Sequence, residues 1–305
     1  NFCNKTTLGG LIQVEYNALE PACIPVATFS FSKISISSFK GSFIRLSDFK
    51  GHQNQAPRVL EAINNRNCGW LYINSQSEFG KIPGSTVAYW ASEAVLNVFA
   101  DGDSIQNYAR FSCGMFTCNN ERFIRYWWEV AKNDNRMFGS KNARWVPHVK
   151  GASGERWSKP TNYVVDFSLN GDNIRSYRKE RGQSYSLPGE KYYFKAGVSF
   201  PLITSGTFSA VGLNGRSTFD ISSNSAFPDG LSSNILLASL CSKPTSHFVS
   251  ILCPTLNFTP GDIGKTPLLW DKLCKFTSKL EMIAEKCVLK TTSVINLYEN
   301  SDKCQ

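Results

Sequence analysis

The sequence lacks most of the residue patterns that mark an enzyme. It has only three histidines, His52, His148 and His247, and they are scattered. It has ten cysteines but no C-x-x-C; Cys113 and Cys118 have no second Cys or His pair to complete a zinc set. No G-x-G-x-x-G, H-E-x-x-H or G-x-S-x-G occurs, and no Asp/Glu/His group has metal-ligand spacing. Gly264-Lys265-Thr266 imitates the end of a phosphate-binding loop, but Thr259 stands where that loop requires glycine. Ser-x-x-Lys at Ser30/Lys33 and Ser47/Lys50 has no supporting partners. The residues alone offer no catalytic or metal-binding constellation.

Long apolar runs are also missing. The longest, near Ile235–Cys241 and Phe248–Cys253, fall well short of the ~18–20 residues that cross a bilayer. No signal peptide is visible, and the chain opens on Asn1 rather than Met, as expected of a fragment or processed product. Ten cysteines in 305 residues are too few for a disulfide scaffold and read as mostly buried thiols in a reducing cytoplasm. The sequons at Asn4 and Asn257 match chance and do not argue for secretion. A membrane partner is not expected.

What the chain does have is an uneven charge. Its net +9 is made almost wholly in the middle. Residues 1–109 hold 8 basic and 8 acidic side chains, residues 110–220 hold 17 and 9, and residues 221–305 hold 8 and 7. The middle third also carries 19 of 39 aromatics. Cations neutralise phosphates and flat rings pack on sugars or bases, so this mixture suits a nucleic-acid surface. A soluble basic domain with an aromatic core has the same composition.

Local patterns predict mixed structure. Pro25–Phe31 and Ser42–Leu46 read as strands, with Lys40-Gly41 as a hairpin turn. Ala56–Asn64 reads as a helix burying Val59, Leu60 and Ile63, and a second helix runs from near Ser85 through Trp90, Val95 and Phe99. The Gly-containing joint at Ala100–Asp103 suggests a domain boundary. Beyond it, Arg122–Val130 is a helix or strand dense in aromatics, and Gly151–Lys159 is a basic loop. Strands are expected at Trp145–Pro147, Asn162–Phe167, Lys191–Phe200 and Thr207–Val211, with a Ser205-Gly206 turn. Ser233–Leu240 and Pro244–Leu252 read as helices, and Thr259-Pro260-Gly261 as a turn. Leu269, Leu273, Phe276, Leu280, Ile283 and Cys287 form a heptad seam. That helix either docks on its own domain or serves as a spacer or intersubunit contact.

Several segments then follow one another in a telling order. They are Phe79–Trp90 (FGKIPGSTVAYW), Asn119–Val130 (NNERFIRYWWEV), Arg144–Lys150 (RWVPHVK), Lys191–Phe208 (KYYFKAGVSFPLITSGTF), Thr218–Asp229 (TFDISSNSAFPD) and Leu236–Phe258, with Gly261–Gly264 close behind. This succession resembles the C-terminal half of the adenine-specific DNA methyltransferases of BREX phage-defence systems, the PglX type, and related single-chain restriction–modification enzymes. The resemblance implies an α+β chain: the remnant of a Rossmann-like methyltransferase sheet (1–100), a mixed α/β DNA target-recognition domain (101–230) and a helical support or spacer (231–305). It implies double-stranded DNA as partner. S-adenosylmethionine would act in the intact enzyme and none is expected on this chain, which lacks the family's glycine loop and Asn-Pro-Pro-Tyr-type motif. On this view the chain alone is not catalytic, and the catalytic half is either cut away or a separate polypeptide. The rivals are a specificity subunit of a multi-chain restriction system and a binding module for a protein partner.

Within that frame Asn119, Asn120, Arg122 and Arg125 are the first candidates for base or phosphate contact, since Asn pairs with an adenine edge and Arg with a guanine edge. The competing role for Arg125 is an i,i+4 bridge to Glu129. Lys150, Arg156 and Lys159 suit phosphates or a solvated loop. Lys195, Thr204, Ser205 and Thr207 lie at the family's strand–turn–strand, where the hydroxyls either touch phosphate or cap the turn. Trp127, Trp128, Tyr192 and Tyr193 are expected mainly in the core.

Overall fold

The computed structural model describes residues 5–19, 24–36, 38–130, 143–151 and 154–297. Cys3, Cys23, Cys304, the Asn4 sequon and part of the Gly151–Lys159 loop lie outside them. The chain divides into two compact units, Asn1–Asp101 and Gly102–Gln305, each mixing helices and small sheets in an α+β arrangement.

In the first unit the elements are β1 (Thr7–Gln13), β2 (Ala27–Ser32), β3 (Lys40–Arg45), α1 (Gln55–Asn64), β4 (Leu71–Ser75), α2 (Gln76–Phe79) and α3 (Glu93–Asp101). The sheet order is β2-β1-β3-β4. β1 pairs antiparallel with β2 and parallel with β3, so Lys40-Gly41 is no hairpin turn but the start of β3. Glycine is needed there because a Cβ at Gly41 would stand 2.7 Å from the Leu8 carbonyl oxygen. The core stacks Phe43 on Tyr89, with ring centres 5.1 Å apart. Tyr89 explains why the helix expected from Ser85 begins only at Glu93: residues 85–92 run irregularly to bring that ring into the core. In α1, Ala62 and Val59 face the core, whereas Leu60 and Ile63 are exposed, reversing part of the expected face.

The second unit contains β5 (Asp103–Ser104), β6 (Ala109–Ser112), α4 (Asn120–Phe123), β7 (Ile124–Tyr126), β8 (Trp145–Val149), β9 (Tyr163–Asp166) and α5 (Ser168–Lys179). It continues through β10 (Ala196–Pro201), β11 (Val211–Asn214), β12 (Thr218–Phe219), β13 (Ser223–Pro228), α6 (Ser233–Leu240), α7 (Lys243–Leu252), α8 (Pro260–Gly264), β14 (Pro267–Leu268), α9 (Trp270–Leu273) and α10 (Thr277–Ile295). One sheet runs β11-β10-β13-β6 and another β12-β8-β9-β7. The first packs Val198, Phe200 and Ala226 against Leu236, Leu237 and Leu240 of α6. The second packs Ile124, Val146 and Val165 against Ile174 of α5.

Helix starts follow their capping chemistry. Ser232 and Ser242 accept from the backbone N–H of Ile235 and Thr245, three residues on, where α6 and α7 begin. Thr259 caps α8 likewise, so Thr259-Pro260-Gly261 opens a short helix rather than a turn. Strand β11 starts at Val211, and Thr207–Ala210 lies outside any strand. The C-terminal helix departs from the heptad. Ala284 is wholly buried and Val288 half-buried, while Phe276 and Ile283 of the expected seam are exposed. A helix docking on a domain follows a 3.6-residue period, and Ala284 is the small residue that lets α10 lie close to α6. Of the seven described cysteines only Cys68, Cys241 and Cys253 are buried; all seven are free thiols. Among the described residues no helix alone is long and apolar enough to cross a membrane.

Candidate nucleic-acid interface

The first candidates converge on the short helix α4. Asn119 is its N-cap: the side-chain oxygen accepts from Arg122 N at 2.9 Å, and Nδ2 donates to the Tyr177 hydroxyl at 3.0 Å. Asn120 Oδ1 accepts from the Thr117 hydroxyl at 2.7 Å. Both asparagines therefore hold the turn. Arg125 donates to the carbonyls of Glu121 and Ile124 rather than to Glu129, whose carboxylate accepts from Tyr126 N.

Arg122 is different. Its side chain is exposed and rests on the Tyr177 ring, the guanidinium carbon 4.7 Å from the ring centre. Arg181 rests on the same ring at 3.4 Å. The ring face attracts both cations, so two guanidiniums that would otherwise repel are held at one place. Among the described residues Arg122 has no ion pair, and Arg181 pairs with only the exposed Glu180, at 3.8 Å, besides donating to the Tyr177 carbonyl one turn back at 3.3 Å. Two cations held together with so little compensation make this surface locally positive.

Tyr177 and Arg181 were not among the sequence candidates. They belong to α5 and its C-terminal end, a stretch for which no element is expected from the sequence. The backbone turns at Leu169, Asn170 and Gly171, all at positive φ, but helix resumes at once. The signal was the spacing of Ile174, Tyr177, Arg178 and Arg181, which places them along one side of a helix. Ile174 and Arg178 face inward; Arg178 donates to the Phe116 carbonyl, and Arg175 pairs with Glu190 at 2.5 Å.

The remaining basic candidates separate by what they touch. Arg156 donates to the carbonyls of Phe208 and Cys241, tying its segment to the core. Lys159 is only 13% exposed and donates to the carbonyls of Lys150 and Gly151. Burial pushes its ammonium below the usual lysine range, partly offset by Glu155. Lys150 reaches the buried Asp220 at 3.4 Å. Lys195 is exposed beside the Tyr192 ring. Thr204 is buried and its hydroxyl accepts from Gly206 N at 3.1 Å, so it caps the turn whose tip is the exposed Ser205. Thr207 is exposed just past that turn. Trp127 and Tyr193 are buried and Tyr192 half-buried, but Trp128 is 47% exposed.

No family model matches the chain. It is 28% identical over 288 residues to the adenine-specific methyltransferase PglX of Lacticaseibacillus casei (strain Zhang), covering 91% of this chain and 24% of that protein. It is 29% identical over 268 residues to the adenine-specific methyltransferase BrxX of Escherichia coli O9:H4 (strain HS), covering 86% of this chain and 20% of that one. The chain is thus similar to part of the PglX-type adenine-specific methyltransferases. It spans less than a quarter of the length of these relatives. Its fold is similar to part of the type IIL restriction–modification enzyme MmeI, a structure solved in complex with DNA. The TM-score is 0.52 at 8% identity, covering 98% of this chain and 39% of that one. The blocks that suggested PglX-type proteins in the sequence are thus part of a relationship running along nearly the whole chain.

Proposed function

We propose that this chain is the DNA-recognition part of an S-adenosylmethionine-dependent adenine-N6 DNA methyltransferase of phage defence or restriction–modification. The observation that carries the reading is the pair of guanidiniums, Arg122 and Arg181, held on Tyr177 in a chain homologous to adenine-specific methyltransferases. Arg122, Arg181 and Lys195 neutralise phosphates. Asn119, Asn120 and Arg125 shape the α4 turn that presents Arg122, and Ser205 offers a hydroxyl at its own exposed turn. Arg156 and Lys159 brace the fold instead, because their donors already meet protein carbonyls.

The first unit would be the end of the methyltransferase sheet. Support comes from β2, which among the described residues is an edge strand exposed along its whole length, Phe29 included, as expected of a sheet completed by further chain. The described residues do not fit S-adenosylmethionine. The one adjacent glycine pair, Gly9-Gly10, lies inside β1, where a Cβ at Gly10 would meet the Ser42 carbonyl oxygen at 2.8 Å; it packs strands rather than opening a cofactor loop. The cofactor and the reaction belong to another part of the enzyme, in the bacterial cytoplasm.

The test is binding of the 305-residue chain to a randomised duplex library across a salt series, with sequencing of the bound fraction. Steep salt dependence with an enriched short motif supports the reading, and Arg122→Ala should weaken it. No binding at low salt would overturn it.

A further inference from the structure

Three aromatic rings of the second unit stack outward from the core. Tyr163, on β9, is half-buried against the Phe123–Val165 core. Tyr126 of the adjacent edge strand β7 lies on it, ring centres 4.9 Å apart and planes within 27°. Trp128 lies on Tyr126 at 4.6 Å and 12°. The stack therefore grows by nearly parallel planes from an anchored ring to a half-exposed indole. Phe123, Ile124 and Val165 already fill the core beneath, and folding alone does not require an indole at the outer end.

The stack is also rigid. Trp127 is buried and perpendicular to Trp128, with ring planes at 87°, and its backbone N–H donates to the Asn162 carbonyl at 3.0 Å. Tyr126 N donates to the Glu129 carboxylate at 2.8 Å, which locks the turn carrying both tryptophans. The Tyr126 and Tyr163 hydroxyls approach to 3.5 Å, and the contact pushes Tyr163 up to about 12. A surface ordered in advance loses little freedom when a flat ligand joins it.

We propose that Trp128, Tyr126 and Tyr163 form a stacking platform for an unpaired nucleobase, a role that rests on the DNA reading and extends it from phosphates to bases. The platform continues the chain segment that carries Arg122 and Arg125, so cation and ring follow one another in a pattern complementary to the phosphates and bases of a nucleotide chain. That juxtaposition favours a nucleotide over a neutral sugar or an apolar peptide, which would use the rings but leave the guanidinium without a counterpart. Stacking accepts every base through its π-face, so the platform holds a base without reading its identity.

The experiment compares the full chain and its Trp128→Ala and Trp128→Phe variants on two duplexes, one fully paired and one with a single unpaired 2-aminopurine. The platform requires tighter binding of the unpaired duplex, with 2-aminopurine fluorescence quenched on binding. It requires Trp128→Ala to lose about tenfold in affinity for that duplex only. It also requires Trp128→Phe to keep most of the preference and all variants to melt like the parent. Binding to both duplexes with equal affinity, or a preference untouched by Trp128→Ala, overturns the platform and leaves the DNA reading standing. Failure of the parent chain to bind either duplex at low salt overturns both.

Discussion

Asp220 Oδ2 lies 3.5 Å from His148 Nε2, and the two side chains are 3% and 0% exposed. His148 Nδ1 meets the Thr218 hydroxyl at 2.8 Å, and Asp220 Oδ1 accepts from Ser222 N and Oγ at 2.9 and 2.6 Å. Without access to solvent this His–Asp pair is structural; it binds β8 to the segment after β12. Burial alone would raise the Asp220 pKa, but His148 and the Ser222 donors outweigh it and hold the carboxyl well below the usual range. A carboxylate depressed in the folded state adds stability that is present above its unfolded pKa of about 4 and is lost as pH falls through the folded value. The second unit should therefore lose stability progressively below about pH 4, and Asp220→Ala should flatten that acid limb. The same variant should cost about 3 kcal/mol or more at neutral pH. Urea melts between pH 2.5 and 7 check both effects.

The same junction forbids a side chain at Gly114. A Cβ there would stand 2.5 Å from the Phe219 carbonyl oxygen and closer still to the Asp220 carbonyl, both backbone and both fixed by pairing. Gly114→Ala should lower stability by about 3 kcal/mol or more, since neither neighbour can turn aside. Thermal melts beside Gly154→Ala control for local crowding, because a Cβ at Gly154 meets nothing within 4 Å. The cost there should come only from its positive φ of 88°.

The two kinds of cation should separate in a salt titration. Arg122→Ala and Arg181→Ala should each reduce the slope of log K against log salt by about one and leave the melting temperature nearly unchanged. Lys159→Met should do the reverse, keeping the slope while shifting stability, because its ammonium serves the Lys150 and Gly151 carbonyls. Lys195→Ala should behave like the arginines. If Lys159→Met lowers the slope as much as Arg122→Ala, the division between bracing and DNA-facing cations is wrong.

On α10 the period of the buried face can be tested directly. Ala284→Glu places a charge against α6 and should cost about 3 kcal/mol or more. Ile283→Glu lies on the exposed side and should change stability by about 0.5 kcal/mol or less. A heptad seam demands the opposite order, which denaturant midpoints of the two variants distinguish.

Local chemistry was legible in the sequence. The helices read at Ser233–Leu240 and Pro244–Leu252 are α6 and α7, the strands read at Trp145–Pro147 and Asn162–Phe167 are β8 and β9, and the charge count placed the excess of cations between residues 110 and 220. The ordered blocks pointed to the relatives that the whole chain resembles. Each of these signals lies within a few residues or is a sum over residues, so it survives without coordinates. Which cations are free is a different kind of fact. Arg156 finds acceptors 52 and 85 residues away, and Tyr177 lies 55 positions beyond the Arg122 it carries. Similarly, α10 follows a helical period instead of a heptad because α6 lies against it, and β3 begins at Lys40 because Ser75 and Asn74 of β4 pair with Lys40 and Gly41. Sequence determined the composition of the surface and the family likeness. Tertiary packing alone decided which side chains remain available to a partner, because a donor's availability depends on every acceptor the fold brings within 3 Å or so.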